Sequence, residues 1–233
     1  MIEAGAWGLF AASSLVLGAI LSFTGWIRGR PLRLVTAFGA GVLISAVAYD
    51  LVGEAVIKSA TGTSVASGFV LGSLVFYGIT SLVVRWSSRR SQGTGILVGA
   101  ALDGIPESIV LGVSLLAGGG VSVAVLVAVF ISNLPEGLSS STGLAGAGHG
   151  RGQIIGAWLV VVVVSSLVAA ISYGALGRAG DDVIAFMEAF AAGAILTMLA
   201  DDMIPNAYEA GDKLPGLATA AGFAVAALLS FNT

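Results

Sequence analysis

Cysteine is absent from the 233-residue chain, and histidine occurs once, as His149. Without cysteine there is no disulfide framework, no thiolate metal ligation and no cysteine nucleophile. Charge is scarce as well: Asp, Glu, Lys and Arg make up 10% of residues, against about 25% in an average soluble domain. With no basic tail, a nucleic-acid partner has no support. The formal net charge of −3 carries little information, because where charges fall matters more than their sum. No soluble domain or long linker stands out, so residues 1–233 are expected to form a single transmembrane domain.

What is present is apolar and small. Hydrophobic residues make up 57% of the chain, and the mean hydropathy is +1.00. The 34 glycines, with abundant alanine and serine, allow helices to pack closely. Long apolar runs separated by short polar breaks predict an all-α polytopic membrane protein with eight transmembrane helices. These spans are expected near 6–27, 33–58, 64–86, 93–117, 122–145, 152–177, 183–211 and 214–231. The block Gly118-Gly119-Gly120 reads as a hinge or tight turn between spans 4 and 5. A secretory leader is not expected, because Glu3 precedes the first apolar run while Arg28 and Arg30 follow it.

Arginine and lysine set the expected orientation. Arg28, Arg30, Arg33, Arg85, Arg89, Arg90, Arg151 and Lys213 follow spans 1, 3, 5 and 7, whereas Lys58 and Arg178 lie at the other side. Eight against two predicts that the first set is cytoplasmic and that both termini are extracytoplasmic. Superimposed on this topology is an internal similarity. Ala37, Phe38, Ala40, Gly41, Ala48 and Asp50 recur 152 residues later as Ala189, Phe190, Ala192, Gly193, Ala200 and Asp202. The two segments run in opposite directions, as in inverted-repeat transporters.

Two Pro-Glu pairs interrupt apolar sequence, at Asp103-Gly104-Ile105-Pro106-Glu107-Ser108 and Ser132-Asn133-Leu134-Pro135-Glu136-Gly137. A carboxylate in hydrocarbon costs roughly 2.5–3.5 kcal/mol on insertion scales and faces a partner, a cavity or an ion. Proline frees a backbone carbonyl that can line such a cavity. Further polar residues fall at helical spacing: Asp50 with Glu54, Asp103 with Glu107, Asn133 with Glu136, and Asp202 with Asn206 and Glu209. Carboxylates sharing a face repel unless a proton or cation lies between them. Together the four helices predict an oxygen-lined site for a divalent cation. Asp181, Asp182 and Asp212 read as solvated loop charges, His149 as a loop histidine, and Glu188 and Asp201 remain unassigned.

These elements resemble the ZIP (Zrt/Irt-like) family of divalent metal transporters. That family's fourth-span motif, His-Asn-x-Pro-Glu-Gly, is matched by Asp103-Gly104-Ile105-Pro106-Glu107-Ser108. Its fifth-span element, in which a polar residue precedes Pro-(His)-Glu, resembles Asn133-Leu134-Pro135-Glu136-Gly137. Asp202-Met203-Ile204-Pro205-Asn206 and Asp50-Leu51-Val52-Gly53-Glu54 resemble the seventh- and second-span segments. The resemblance implies a 3+2+3 bundle, with inverted repeats of spans 1–3 and 6–8 around spans 4 and 5. It also implies alternating access, with the site-bearing bundle sliding against spans 3 and 6.

Asp103, Glu107, Asn133 and Glu136 would be the inner ligands by resemblance, with Asp202, Asn206, Asp50 and Glu54 along the pathway. The chain departs from the pattern where Asp103, Gly104 and Asn133 replace stronger ligands. Oxygen-only donors lean toward manganese, iron(II), magnesium or calcium, and carboxylate-bound zinc remains compatible.

The expected function is therefore a non-enzymatic carrier of a divalent metal cation of the zinc, manganese or iron(II) class, in an inner or plasma membrane. Its expected partners are the metal-ion substrate and the lipid bilayer, with no tightly bound cofactor and a homodimer left open. One rival is a cation/calcium-exchanger-like antiporter, whose Pro-Glu elements lie farther apart than the 29 residues here. Another is a metal-binding relative that does not transport. An intramembrane aspartyl protease is disfavoured: Tyr49-Asp50 imitates half of that signature, and the later Gly-x-Gly-Asp is missing.

Overall fold

A computed structural model describes residues 1–87, 92–117, 120–208 and 212–231. Arg89, Arg90, Glu209 and the pair Gly118-Gly119 lie outside the described residues. Among those described there is no strand. Seven helices are long and apolar enough to cross a membrane. They are α1 (Ile2–Ser22), α2 (Arg30–Lys58), α3 (Thr63–Ser87), α4 (Gln92–Ser114), α5 (Val123–Gly146), α6 (Arg151–Leu176) and α7 (Asp181–Ala207). A shorter apolar helix, α8 (Leu214–Ser230), has 17 residues, the lower end of what spans hydrocarbon. α1 ends at Ser22 and cannot run to its expected end near 27 because Gly25 adopts φ of 72°, a left-handed conformation that glycine tolerates and a helix does not.

The outward-facing side chains identify the solvent. On α6, the most apolar helix at mean hydropathy 2.7, Leu159, Val160, Val163, Leu167 and Ile171 are exposed. Leu74, Leu82 and Val84 do the same on α3. Apolar bands of this extent are untenable in water and suited to lipid. The chain is an all-α membrane protein.

Packing divides the helices into two groups. α3 packs most extensively on α7, and α2 on α8; α1 packs on both α5 and α6, and α6 on α4. The two groups meet chiefly where α2 lies against α5 and where α4 lies against α7. Span 6, against which with span 3 the site-bearing bundle was expected to slide, itself packs chiefly on α1 and α4.

Glycine sets the closest approaches within the groups. A Cβ at Gly41 of α2 would overlap the Thr219 carbonyl oxygen of α8, and one at Gly222 of α8 would overlap that of Phe38. The same arrangement recurs for Gly193 of α7 against Phe69 of α3, and for Gly72 of α3 against Phe190. Between the groups the approach is less tight: a Cβ at Gly39 would lie 3.3 Å from the Ser132 Cα.

α2 and α7 share a second feature. Each loosens into a π-helical segment, Val47–Gly53 in α2 and Leu199–Met203 in α7. The starts of these segments are 152 residues apart, the offset of the sequence similarity. A π turn accommodates one more residue per hydrogen-bonded ring and frequently marks a functional position. Asp50 and Asp202 occupy the same place in the two turns.

Polar contacts tie each group together. Trp158 of α6 is fully buried, and its indole N–H donates to Ser141 Oγ of α5 at 2.7 Å. Ser141→Ala removes that acceptor and is expected to destabilise the protein by about 1–3 kcal/mol, the penalty of a stranded buried donor. Thermal melting in detergent checks it, with Ser141→Thr, which keeps the hydroxyl, expected to fall nearer the parent. At the arginine-rich end, Arg30 Nε donates to Asp212 Oδ2 at 2.9 Å. The guanidinium, together with the Leu214 backbone N–H, holds the Asp212 carboxyl below the usual carboxylate range. Asp182 accepts from the Ala60 backbone N–H at 3.2 Å. Both acids make these contacts at the protein surface, Asp212 in a connection and Asp182 in the first turn of α7.

Candidate functional site

The two Pro-Glu segments lie within α4 and α5. Pro106 and Pro135 sit inside helices that continue past them, so the carbonyls of Leu102 and Ile131 lose their helical donors. Glu107 is 1% exposed and Asn133 2% exposed. Ser132 Oγ reaches across from α5 to donate to Glu107 Oε1 at 3.1 Å. Three buried oxygens at this junction have no hydrogen-bond partner: Glu107 Oε2, Asn133 Oδ1 and Glu136 Oε1. Buried polar atoms are overwhelmingly satisfied in folded proteins. All three are acceptors, which a cation satisfies as well as a donor does.

More carboxylates surround this junction. Glu136 lies within electrostatic reach of Asp103, Glu107 and Asp202, and Asp103 within reach of Asp202. Asp202 Oδ1 accepts from Asn206 Nδ2 at 2.9 Å, one turn along α7. Two cavities open beside the cluster from the arginine-rich end. One of about 420 Å³ is bounded by Arg85, Asp103, Asp201 and Asp202 among others, and one of about 180 Å³ by Arg33, Thr36, Glu136, Asp202 and Asn206. Asp202 belongs to both. Glu107 lines neither of these cavities, so it stands deeper than its neighbours. Among the described residues, no three His, Cys, Asp or Glu side chains are grouped closely enough to hold a metal ion as placed. An ion at this junction would draw on the Asn133 amide oxygen and on side-chain adjustment.

Asp50 and Glu54 are not brought to that junction. They line a separate cavity of about 590 Å³ at the opposite end of the bundle, with Ser114, Ser122, Glu188 and Ser230. Asp50 accepts from Ser122 Oγ at 3.3 Å and from Ser230 Oγ at 2.7 Å. His149 stands apart from both regions, with Nδ1 3.3 Å from the Leu144 carbonyl oxygen at the end of α5. Two features escaped the sequence reading. Ser132, inside the fifth-span segment, donates to Glu107, and Glu188 lines the cavity of about 590 Å³. Ser132 lies four residues before Glu136, a same-face spacing that could have flagged it.

Comparison with curated proteins finds a relative in Arabidopsis thaliana named "Putative zinc transporter". It is 25% identical over 236 aligned residues, which cover 97% of this chain and 38% of the relative. The chain thus spans about two-fifths of that protein's length. No family model matches the chain.

Proposed function

We propose that this protein is a divergent ZIP-type carrier that moves a divalent metal cation across a membrane through the carboxylate site between α4 and α5. The observation that carries the reading is the set of unpartnered buried oxygens of Glu107, Asn133 and Glu136, on two helices each broken by proline. The relative's name supports a metal-ion cargo. The ion is substrate rather than resident cofactor, and no step of the cycle is enzymatic.

The bundle contains eight spans on this reading, α8 being the eighth, arranged as a 3+2+3 inverted repeat. Matching π turns, matching glycine contacts and the reciprocal packing of α2 on α8 and α7 on α3 support that symmetry. The arginine-rich end faces the cytoplasm and both termini the exterior, by the excess of basic residues at that end. The proposed location is an inner or plasma membrane. The cavities reaching Asp103, Glu136 and Asp202 then give the cluster access to the cytoplasmic side. Alternating access would come from the α1, α4, α5, α6 group shifting against α2, α3, α7 and α8 across their less tightly packed seam. Binding an ion between the acids relieves their mutual repulsion, and any protons they share leave as the metal enters.

Oxygen-only donors favour manganese or iron(II), while the relative's name points to zinc. Metal-dependent thermal stabilisation tests binding. A cargo ion at about 100 times its dissociation constant stabilises the folded state by about 2.7 kcal/mol. A panel of zinc, manganese, iron(II), magnesium and calcium should yield a melting shift for at least one ion. No shift with any of them would remove the metal-site assignment. That no three acids group closely among the described residues favours one second reading, a metal-binding relative that does not transport. It predicts the melting shift without uptake into proteoliposomes.

A further inference from the structure

Beside the cavity of about 590 Å³, the outer one on the proposed orientation, lies a charge arrangement that the α4–α5 site does not use. Lys58, at the end of α2, donates from Nζ to Glu54 Oε2 at 2.7 Å and to Glu188 Oε1 of α7 at 2.5 Å. One ammonium therefore bridges two helices and lies between two carboxylates. Glu188 is 3% exposed and lines the cavity. Its second oxygen, Oε2, has no hydrogen-bond partner. A buried carboxylate oxygen left unpaired is costly, more so than a neutral group. Asp50 adds a third carboxylate to the same lining, and its visible partners, Ser122 and Ser230, are neutral hydroxyls. Two acids thus share a single ammonium, and a third carboxylate, Asp50, lines the same cavity.

That imbalance has a simple chemical remedy. Glu54 and Glu188 together carry the charge that one divalent ion neutralises, and Asp50, Ser122 and Ser230 offer further oxygens within the same cavity. All of these are hard donors, suited to a cation that prefers oxygen. Val110 and Ser114 of α4 also line this cavity, whereas Glu107 stands about one turn further along the helix. The two regions are thus adjacent along α4 but distinct.

We propose that this cavity is a second divalent-cation site, in which the Lys58 ammonium is a tethered stand-in that an arriving ion displaces from Glu54 and Glu188. The proposal rests on the carrier reading for its cargo. Lys58 keeps the outer site weak, so that an ion loads there without being trapped, and it holds α2 to α7 whenever the site is empty.

The test uses the full chain in detergent with the α4–α5 site disabled by Glu107→Gln and Glu136→Gln. Binding of Mn²⁺ is followed by the loss of the free-ion electron paramagnetic resonance signal. Residual binding is expected, tightened about tenfold or more when Lys58→Met removes the competing charge, on the scale of one close charge's effect on an equilibrium. Glu188→Gln should weaken it by a similar factor. Because the two changes act in opposite directions, a general loss of folding cannot imitate both. No residual binding, or residual binding that Lys58→Met leaves unchanged or weakens, overturns the proposal. Wild-type uptake into proteoliposomes is scored separately. Lysine-sensitive Mn²⁺ binding without uptake would retire the carrier reading and leave the outer site standing.

Discussion

Glu107→Gln and Glu136→Gln are each expected to lower metal uptake into proteoliposomes by about a hundredfold, the upper end of what disturbing a metal's surroundings does. Glutamine preserves the volume of each side chain. At Glu107 its amide oxygen can still accept from Ser132 Oγ, now 3.1 Å away, which turns the amide NH₂ toward the region that Oε2 occupies. A donor then faces the cation in place of an acceptor. Folding should survive, because each change removes one member of a like-charged cluster that includes Asp103 and Asp202. The melting temperature without metal is therefore expected to stay level or rise, while the metal-induced shift disappears. Ser132→Ala should have a smaller effect on uptake, since it loosens Glu107 without removing its charge. A residue serving only as helix packing would give the opposite pattern, with lower stability and a retained metal response.

The second large effect is steric and tests the symmetric packing. Gly193→Ala and Gly41→Ala each drive a methyl into a backbone carbonyl, of Phe69 and of Thr219 respectively. Backbone cannot swing aside as a side chain does, so each variant should lose about 3 kcal/mol, the upper end for overpacking, or fail to accumulate. Gly78→Ala supplies the contrast. A Cβ there would meet nothing within 4 Å, and alanine stiffens the helix, so stability should rise by up to about 1 kcal/mol. Melting of the three purified variants decides it. Equal behaviour of Gly193→Ala and Gly78→Ala would mean that the α3–α7 contact does not limit folding.

Much of the architecture was legible because hydrophobic length and helical spacing are local properties. The helical spans follow from apolar runs, and the offset-152 similarity has a counterpart in the starts of the two π turns. Glu107 and Glu136 stood out because a carboxylate beside proline in an apolar run is expensive wherever it points. Asp50 and Glu54 were less tractable. Spacing indicates that they share a helix face, not which end of the bundle that face serves. The inverted similarity itself carried the answer: if Asp50 and Asp202 are equivalent residues on oppositely directed helices, they belong at opposite ends. The structure gives each its own cavity.

The Lys58–Glu188 pair could not be read from sequence, because its members are 130 residues apart and meet only through the packing of α2 on α7. The association of α6 with α1 and α4 was equally hidden, since a uniformly apolar helix carries no pattern that selects its neighbours.

The most direct measurement is anomalous scattering from crystals of the protein grown with manganese or zinc. A carrier site at the α4–α5 junction predicts a peak about 2.0–2.6 Å from Glu107 Oε2, Asn133 Oδ1 and Glu136 Oε1, the range of metal–oxygen bonds. A metal peak confined to other parts of the chain, with those three oxygens still unligated, would contradict the account.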